Sequence, residues 1–134
     1  MPFLRFGERH RLGHEELDAQ HAALFARVNR LHDLADSLHG RQALAGQLAE
    51  LGEETVLHFR CEEDLMKRGA YPGFTEHKRL HDILIQQLQD LELKHQEGSL
   101  TLSLPVMTYL KDWLVHHIAV EDRRLAEFLA GDCN

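Results

Sequence analysis

Two short stretches of the chain place metal-ligand residue types one helical turn apart. Residues 58–62 read HFRCE and residues 77–81 read HKRLH. His58 with Glu62, and His77 with His81, stand at i and i+4, and on a helix such residues share a face and can hold one ion together. His21, His117 and the adjacent carboxylates Glu121 and Asp122 are further candidates. The chemistry these residues offer is that of a metal centre built from imidazole and carboxylate.

Such a centre needs elements that bring distant residues to one place. Glycine and proline divide the chain into four long segments. The first is expected from near Asp18 to Leu38, stopping at HGR. The second runs from about Gln42 to Arg68 and ends at GAYPG. The third begins after Gly73 and fades at HQEGS, and the fourth runs from near Pro105, tolerated in a first helical turn, to Leu129. Asp18 and Ser103 are the expected N-caps of the first and fourth. Gly46 and Gly52 fall inside the second, at about 1 kcal/mol each relative to alanine. No segment alternates with a strand period. The expected fold is therefore all-α, an up-down-up-down antiparallel four-helix bundle over residues 15–134, preceded by an N-terminal tail of residues 1–14.

Each helix carries an apolar seam at 3-4 spacing. The seams run Leu17, His21, Leu24, Val28, Leu31 in the first helix and Leu48, Leu51, Thr55, His58, Glu62, Leu65 in the second. They continue as His77, His81, Leu84, Leu88 in the third and Leu110, Leu114, His117, Glu121 in the fourth. The ligand types come early on the first and third helices and late on the second and fourth. In antiparallel neighbours these positions converge at one end of the core.

A single histidine on an apolar face is ordinarily a packed, hydrogen-bonded core residue. Five in one layer with at least two carboxylates are not explained that way, because buried carboxylates repel and each costs several kcal/mol of desolvation unless a cation neutralises it. No Lys or Arg lies on the seams at that level. Imidazoles with carboxylates and no thiolate suit iron, copper or zinc and are poor for calcium or magnesium. Seven ligands exceed the four of a structural zinc. With both carboxylates bridging, and an oxide or hydroxide between the ions, two six-coordinate metals keep one open position.

Composition narrows the class. The formal net charge is −7 and the basic residues are scattered, which argues against nucleic acid or an anionic membrane as partner. No apolar run approaches the roughly 18 residues of a spanning helix, and the N-terminus lacks a signal peptide's apolar centre; a cytoplasmic location without membrane insertion is expected. Cys61 and Cys133 form neither CxxC nor CxxCH, so a disulfide framework, a zinc ribbon and c-type haem attachment find no support. Cys61 is expected to be an inert buried thiol.

In chain order, DAQH, HFRCEEDLM, HKRLH and WLVHHIAVED resemble the ligand-bearing motifs of the bacterial hemerythrins, of the hemerythrin-like domain family. The likeness spans roughly residues 12 to 128. It implies two iron ions (Fe2+/Fe3+) with a bridging oxo or hydroxo group, and dioxygen as ligand. His77, His81 and His117 would bind one iron, His21 and His58 the other, which keeps the open position, and Glu62 and Asp122 would bridge. Simple i+4 spacing from His117 selects Glu121 instead, since Asp122, five residues on, stands about 140° around an ideal helix; the family's spacing selects Asp122. Likewise the motif selects His117 over His116.

The implied function is reversible dioxygen binding for carriage, storage or delivery, without catalysis. Two ferrous ions, two carboxylates and a hydroxide carry little net charge, which suits oxidation to the ferric pair and no further. Leu24, Phe59, Trp113, Leu114 and Ile118 occupy the motif positions expected to line a dry oxygen pocket. The other classes are an oxygen or redox sensor acting on a partner protein, and a di-iron enzyme or iron-handling protein acting on peroxide or nitric oxide. An unidentified oxygen-accepting or signalling protein is the expected partner; the sequence gives no oligomeric state. Departures from the family are Cys61 beside Glu62 and, in the tail, Phe3 and Phe6 in place of its usual tryptophan, with His10 and His14 expected at the surface. Glu92 and His95, a single Glu-x-x-His, are expected on a solvated face, and Met66 in the core.

Overall fold

The computed structural model describes residues 3–35, 41–97 and 104–131. The expected helix end at Leu38, the Ser103 cap and Cys133 lie outside these residues. After a 3-10 turn at Glu8–His10 come α1 (Glu15–Ala35), α2 (Arg41–Arg68), α3 (Phe74–Glu97) and α4 (Leu104–His117). A π-helical turn, Ile118–Asp122, joins α4 to α5 (Arg123–Gly131). His117 and Arg123 both keep right-handed helical backbone, so α4, the π turn and α5 form one rod. The architecture is a four-helix bundle: α1 packs on α2 and α4, and α2 packs on α3.

The seams form the core. Leu24, Val28 and Leu31 of α1, Leu48 and Leu51 of α2, Leu84 and Leu88 of α3, and Leu110 and Leu114 of α4 are all buried. On α2 the core position near the helix end is Met66 rather than Leu65, which is only half-buried. Gly46 and Gly52 do not interrupt α2.

The α2–α3 corner sets where α3 begins. Tyr71 N–H donates to Met66 O (2.9 Å) and Ala70 N–H to Lys67 O (3.2 Å), the paired bonds of a Schellman ending. Ala70 takes the left-handed position, φ 51°, at a cost of roughly 1–2 kcal/mol for a residue with a Cβ. The Tyr71 ring folds over Gly73, where an added Cβ would come within 2.8 Å of it. Gly73 O then accepts from His77 N–H (3.0 Å), which fixes the first turn of α3 and so the rotation of His77.

The N-terminal tail is docked. Leu4 N–H donates to Asn29 Oδ1 (2.7 Å) and Asn29 Nδ2 donates to Leu4 O (2.6 Å). Phe3 stacks on His32 and Phe6 packs edge-on against Phe25. His10 is not at the surface: it is buried against Phe6 and Phe25, and its Nδ1 accepts from Gly7 N–H (3.0 Å). Asp18 is not the N-cap of α1, which starts three residues earlier. Its carboxylate instead accepts from Leu12 N–H (2.8 Å) and Gly13 N–H (3.2 Å), while His14 Nδ1 accepts from Leu17 N–H (3.3 Å) in the first turn. A ring nitrogen can replace a capping oxygen because the requirement is only a lone pair for an orphan N–H. His95 departs from expectation too: it is buried, not on a solvated face.

Candidate metal centre

The polar layer lies where the seams change from leucine to histidine. His21 comes from α1, His58 and Glu62 from α2, His77 and His81 from α3, and His117 and Asp122 from the last rod. All seven are buried, and Glu62, Asp122, His21 and His81 have no exposed surface.

Their donor atoms fall into two groups that share both carboxylates: His77, His81 and His117 in one, His21 and His58 in the other. Within each group the atoms lie within 4.8 Å of one another. Glu62 Oε1 lies 3.1 Å from His77 Nε2 and 3.0 Å from His81 Nε2. Its Oε2 lies 2.7 Å from His58 Nε2 and 3.3 Å from His21 Nε2. Asp122 repeats the division, with Oδ1 3.0 Å from His77 Nε2 and 3.1 Å from His117 Nε2, and Oδ2 3.0 Å from His21 Nε2. Each carboxylate therefore turns one oxygen to the three-histidine group and the other to the two-histidine group.

The π turn puts Asp122 there. Arg123 N–H donates to Ile118 O, five residues back, and this wider turn aligns i with i+5. An ideal α-helix would have brought Glu121 onto the seam; instead Glu121 sits at its edge, 3.2 Å from His117 Nδ1.

The electrostatics call for a cation. Burial lowers the pKa of His21 and of His77, but contacts with Asp122 and Glu62 outweigh it and raise both to about 9. In His117 burial is likewise outweighed, chiefly by Asp122, and the pKa rises to about 10. Burial raises Glu62, yet its histidines hold it well below the usual carboxylate range. Asp122 is also held low by His117 and His21, against burial and the repulsion of Glu62. Both Asp122 oxygens lack a hydrogen-bond partner among the described residues, although imidazole nitrogens stand 3.0–3.1 Å away. His81 Nε2 and His117 Nε2 face each other at 3.2 Å. Converging ring nitrogens and orphaned carboxylate oxygens are what a metal centre requires, and this donor set fits iron, copper or zinc.

A surrounding layer orients the rings. His58 Nδ1 lies 2.6 Å from Gln20 Oε1, and His81 Nδ1 2.9 Å from Glu63 Oε2. Phe59 stacks on His81 at 3.7 Å between centroids, and Trp113 on His117 at 4.6 Å. Sequence reasoning missed Gln20 and Glu63; each directly adjoins a ligand-type residue in the chain, His21 and Glu62, which was the available signal. Cys61 is half-buried rather than buried. Its Sγ accepts from Gln20 Nε2 (3.4 Å) and donates to Glu16 Oε1 (3.1 Å), and burial pushes the thiol pKa up.

An apolar cavity of about 20 Å³ lies in the core. Of the five residues expected around an oxygen pocket, Leu24, Phe59 and Leu114 line it, whereas Trp113 and Ile118 do not. Val28, Leu51, Thr55, Leu84, Leu88 and Leu110 complete the wall. The Thr55 hydroxyl donates to Leu51 O (2.7 Å), which leaves it no proton for the cavity.

The sequence matches the family model described as "Hemerythrin HHE cation binding domain" over residues 12–129. It is 36% identical to a bacteriohemerythrin of Methylococcus capsulatus over 116 residues, 87% of this chain and 84% of that protein. It is 32% identical to a hemerythrin-like protein of Naegleria gruberi over 113 residues, 84% and 82% of the two chains. Among solved structures, a wild-type hemerythrin superposes with TM-score 0.81 at 34% identity, covering 86% of this chain and 88% of that one. A hemerythrin mutant superposes with TM-score 0.91 at 30% identity, covering 96% and 98%.

Proposed function

The chain belongs to the hemerythrin family, and from that premise we propose that it holds two iron ions in the polar layer and binds dioxygen reversibly at one open position, for carriage, storage or delivery. One observation carries the reading: Glu62 and Asp122 each divide their oxygens between a three-histidine and a two-histidine group. His77, His81 and His117 would hold one ion, His21 and His58 the other, with both carboxylates between them. When bound, an iron pair joined by an oxo or hydroxo bridge supplies the two electrons that reversible dioxygen binding draws on.

The chain's own residues supply the rest. The neutral imidazoles leave the site little negative charge, which favours binding over further oxidation. The two-histidine group has one protein donor fewer, which favours it as the open position. Leu24, Phe59 and Leu114 set an apolar wall beside the layer, which would keep water, and the protons it carries, away from the site. Phe59 and Trp113 hold His81 and His117 by stacking. The role is binding rather than catalysis.

Iron content and gas uptake test it together. The reduced, iron-loaded chain is expected to hold two irons, take up one dioxygen and return it under argon. Uptake that is not returned would contradict the carrier reading.

A further inference from the structure

The two groups of ligands differ in what stands behind them. In the three-histidine group, His81 Nδ1 lies 2.9 Å from the Glu63 carboxylate and His117 Nδ1 3.2 Å from that of Glu121. In the two-histidine group, His58 Nδ1 meets the neutral amide oxygen of Gln20 at 2.6 Å. His21 Nδ1, fully buried, has no partner among the described residues. One metal position is thus backed by two anions and the other by none.

The direction of the Gln20 contact is fixed by chemistry. His58 can offer Nε2 to a metal only as the tautomer protonated at Nδ1, so Nδ1–H donates and the Gln20 carbonyl accepts. The Gln20 NH2 is then turned to Cys61 Sγ (3.4 Å), and the Cys61 S–H to Glu16 Oε1 (3.1 Å). Every donor in this row finds an acceptor in only one orientation of the amide. Carboxylate acceptors draw the Nδ1 proton and make the imidazole a stronger donor to metal; a neutral amide does so less, its hydrogen bonds being roughly half as strong as charge-assisted ones.

We infer that Gln20 is a positioning residue that keeps the two metal positions unequal, holding His58 in its metal-binding tautomer without strengthening it, while Glu63 and Glu121 strengthen the three-histidine position. The two-histidine position is therefore the weaker and the first to empty. This rests on the two-ion reading above. The difference is not only one of histidine number, since the groups behind the rings differ as well.

The test uses Co2+, titrated into the metal-free chain against a competing chelator. Wild type is expected to take up two equivalents in a tighter and a weaker step. Gln20→Glu is expected to tighten the weaker step about 10-fold and leave the tighter one in place. Glu63→Gln is expected to weaken the tighter step by about 10–100-fold and leave the weaker one in place. This crossed pattern separates the inference from a general charge effect, in which either substitution moves both steps together. Two equivalents of Co2+ with both steps moved alike, or neither moved by Gln20→Glu, overturns it. If Gln20→Glu does not fold, the Glu63→Gln arm decides by the same criterion, selective weakening of the tighter step or not. Uptake of fewer than two equivalents by wild type contradicts the two-ion reading itself.

Discussion

Asp122 follows His117 by five residues, and the π turn between them brings Asp122 Oδ1 to 3.1 Å from His117 Nε2. Without that turn the carboxylate at the seam would be Glu121. Asp122→Asn is therefore expected to lower metal content below two ions per chain, while Glu121→Gln keeps two ions with weaker binding at the three-histidine position. Metal analysis after gel filtration separates these; equal losses in both variants would place the bridge wrongly.

His77 stands close to both carboxylates, 3.1 Å from Glu62 and 3.0 Å from Asp122. His77→Ala should lose iron and, in the metal-free state, leave the two carboxylates with one fewer proton donor between them. A lower unfolding midpoint for the metal-free variant than for metal-free wild type is the expected result of calorimetry.

How much of this was legible in sequence depends on the type of signal. Ligand types at i and i+4 on α2 and α3 read directly, because a regular helix converts spacing into a shared face. Asp122 did not read that way: spacing alone points to Glu121, and only the family pattern or the observed π turn corrects it. His10 and Asp18 were misplaced for a different reason. Both roles, a ring nitrogen accepting from Gly7 N–H and a carboxylate gripping Leu12 and Gly13, arise where the tail folds back, and no periodicity encodes that. Of the cavity wall, the motifs mark Leu24, Phe59 and Leu114 but not Val28, Leu51, Thr55, Leu84, Leu88 or Leu110, because the border of a gap between seams is set by packing that no single motif encodes.

The cavity makes a separate prediction. Leu24→Ala removes part of its wall at a cost of about 2–5 kcal/mol for a buried leucine. The variant should keep iron and autoxidise faster, because water gains access. An unchanged autoxidation rate would rule out the apolar wall as the protective element.

The metal-free protein should show a stability that depends on pH in a defined direction. His21 and His77 titrate near 9 and His117 near 10 when folded, above the unfolded value of about 6.5. Their contribution is complete below that unfolded value and is lost as pH rises through 9 to 10. Glu62 and Asp122 are held low, so their contribution is lost in acid. The thermal midpoint should fall between pH 7 and 10 for the metal-free chain and stay level for the iron-loaded one, in which metal replaces the protons.

Tail docking is testable at Asn29, whose amide both accepts from and donates to the Leu4 backbone. Asn29→Ala should cost about 1–3 kcal/mol and expose the tail to limited proteolysis, with metal content unchanged. Proteolysis no faster than in wild type would show that Phe3, Phe6 and Leu4 hold the tail without the clamp.

The most direct test of the central claim is the visible spectrum of the reduced, iron-loaded protein through repeated addition and removal of oxygen. The expected result is a band that appears with oxygen, vanishes under argon and returns undiminished over successive cycles. One-way conversion to the ferric form, with no such band, would contradict it.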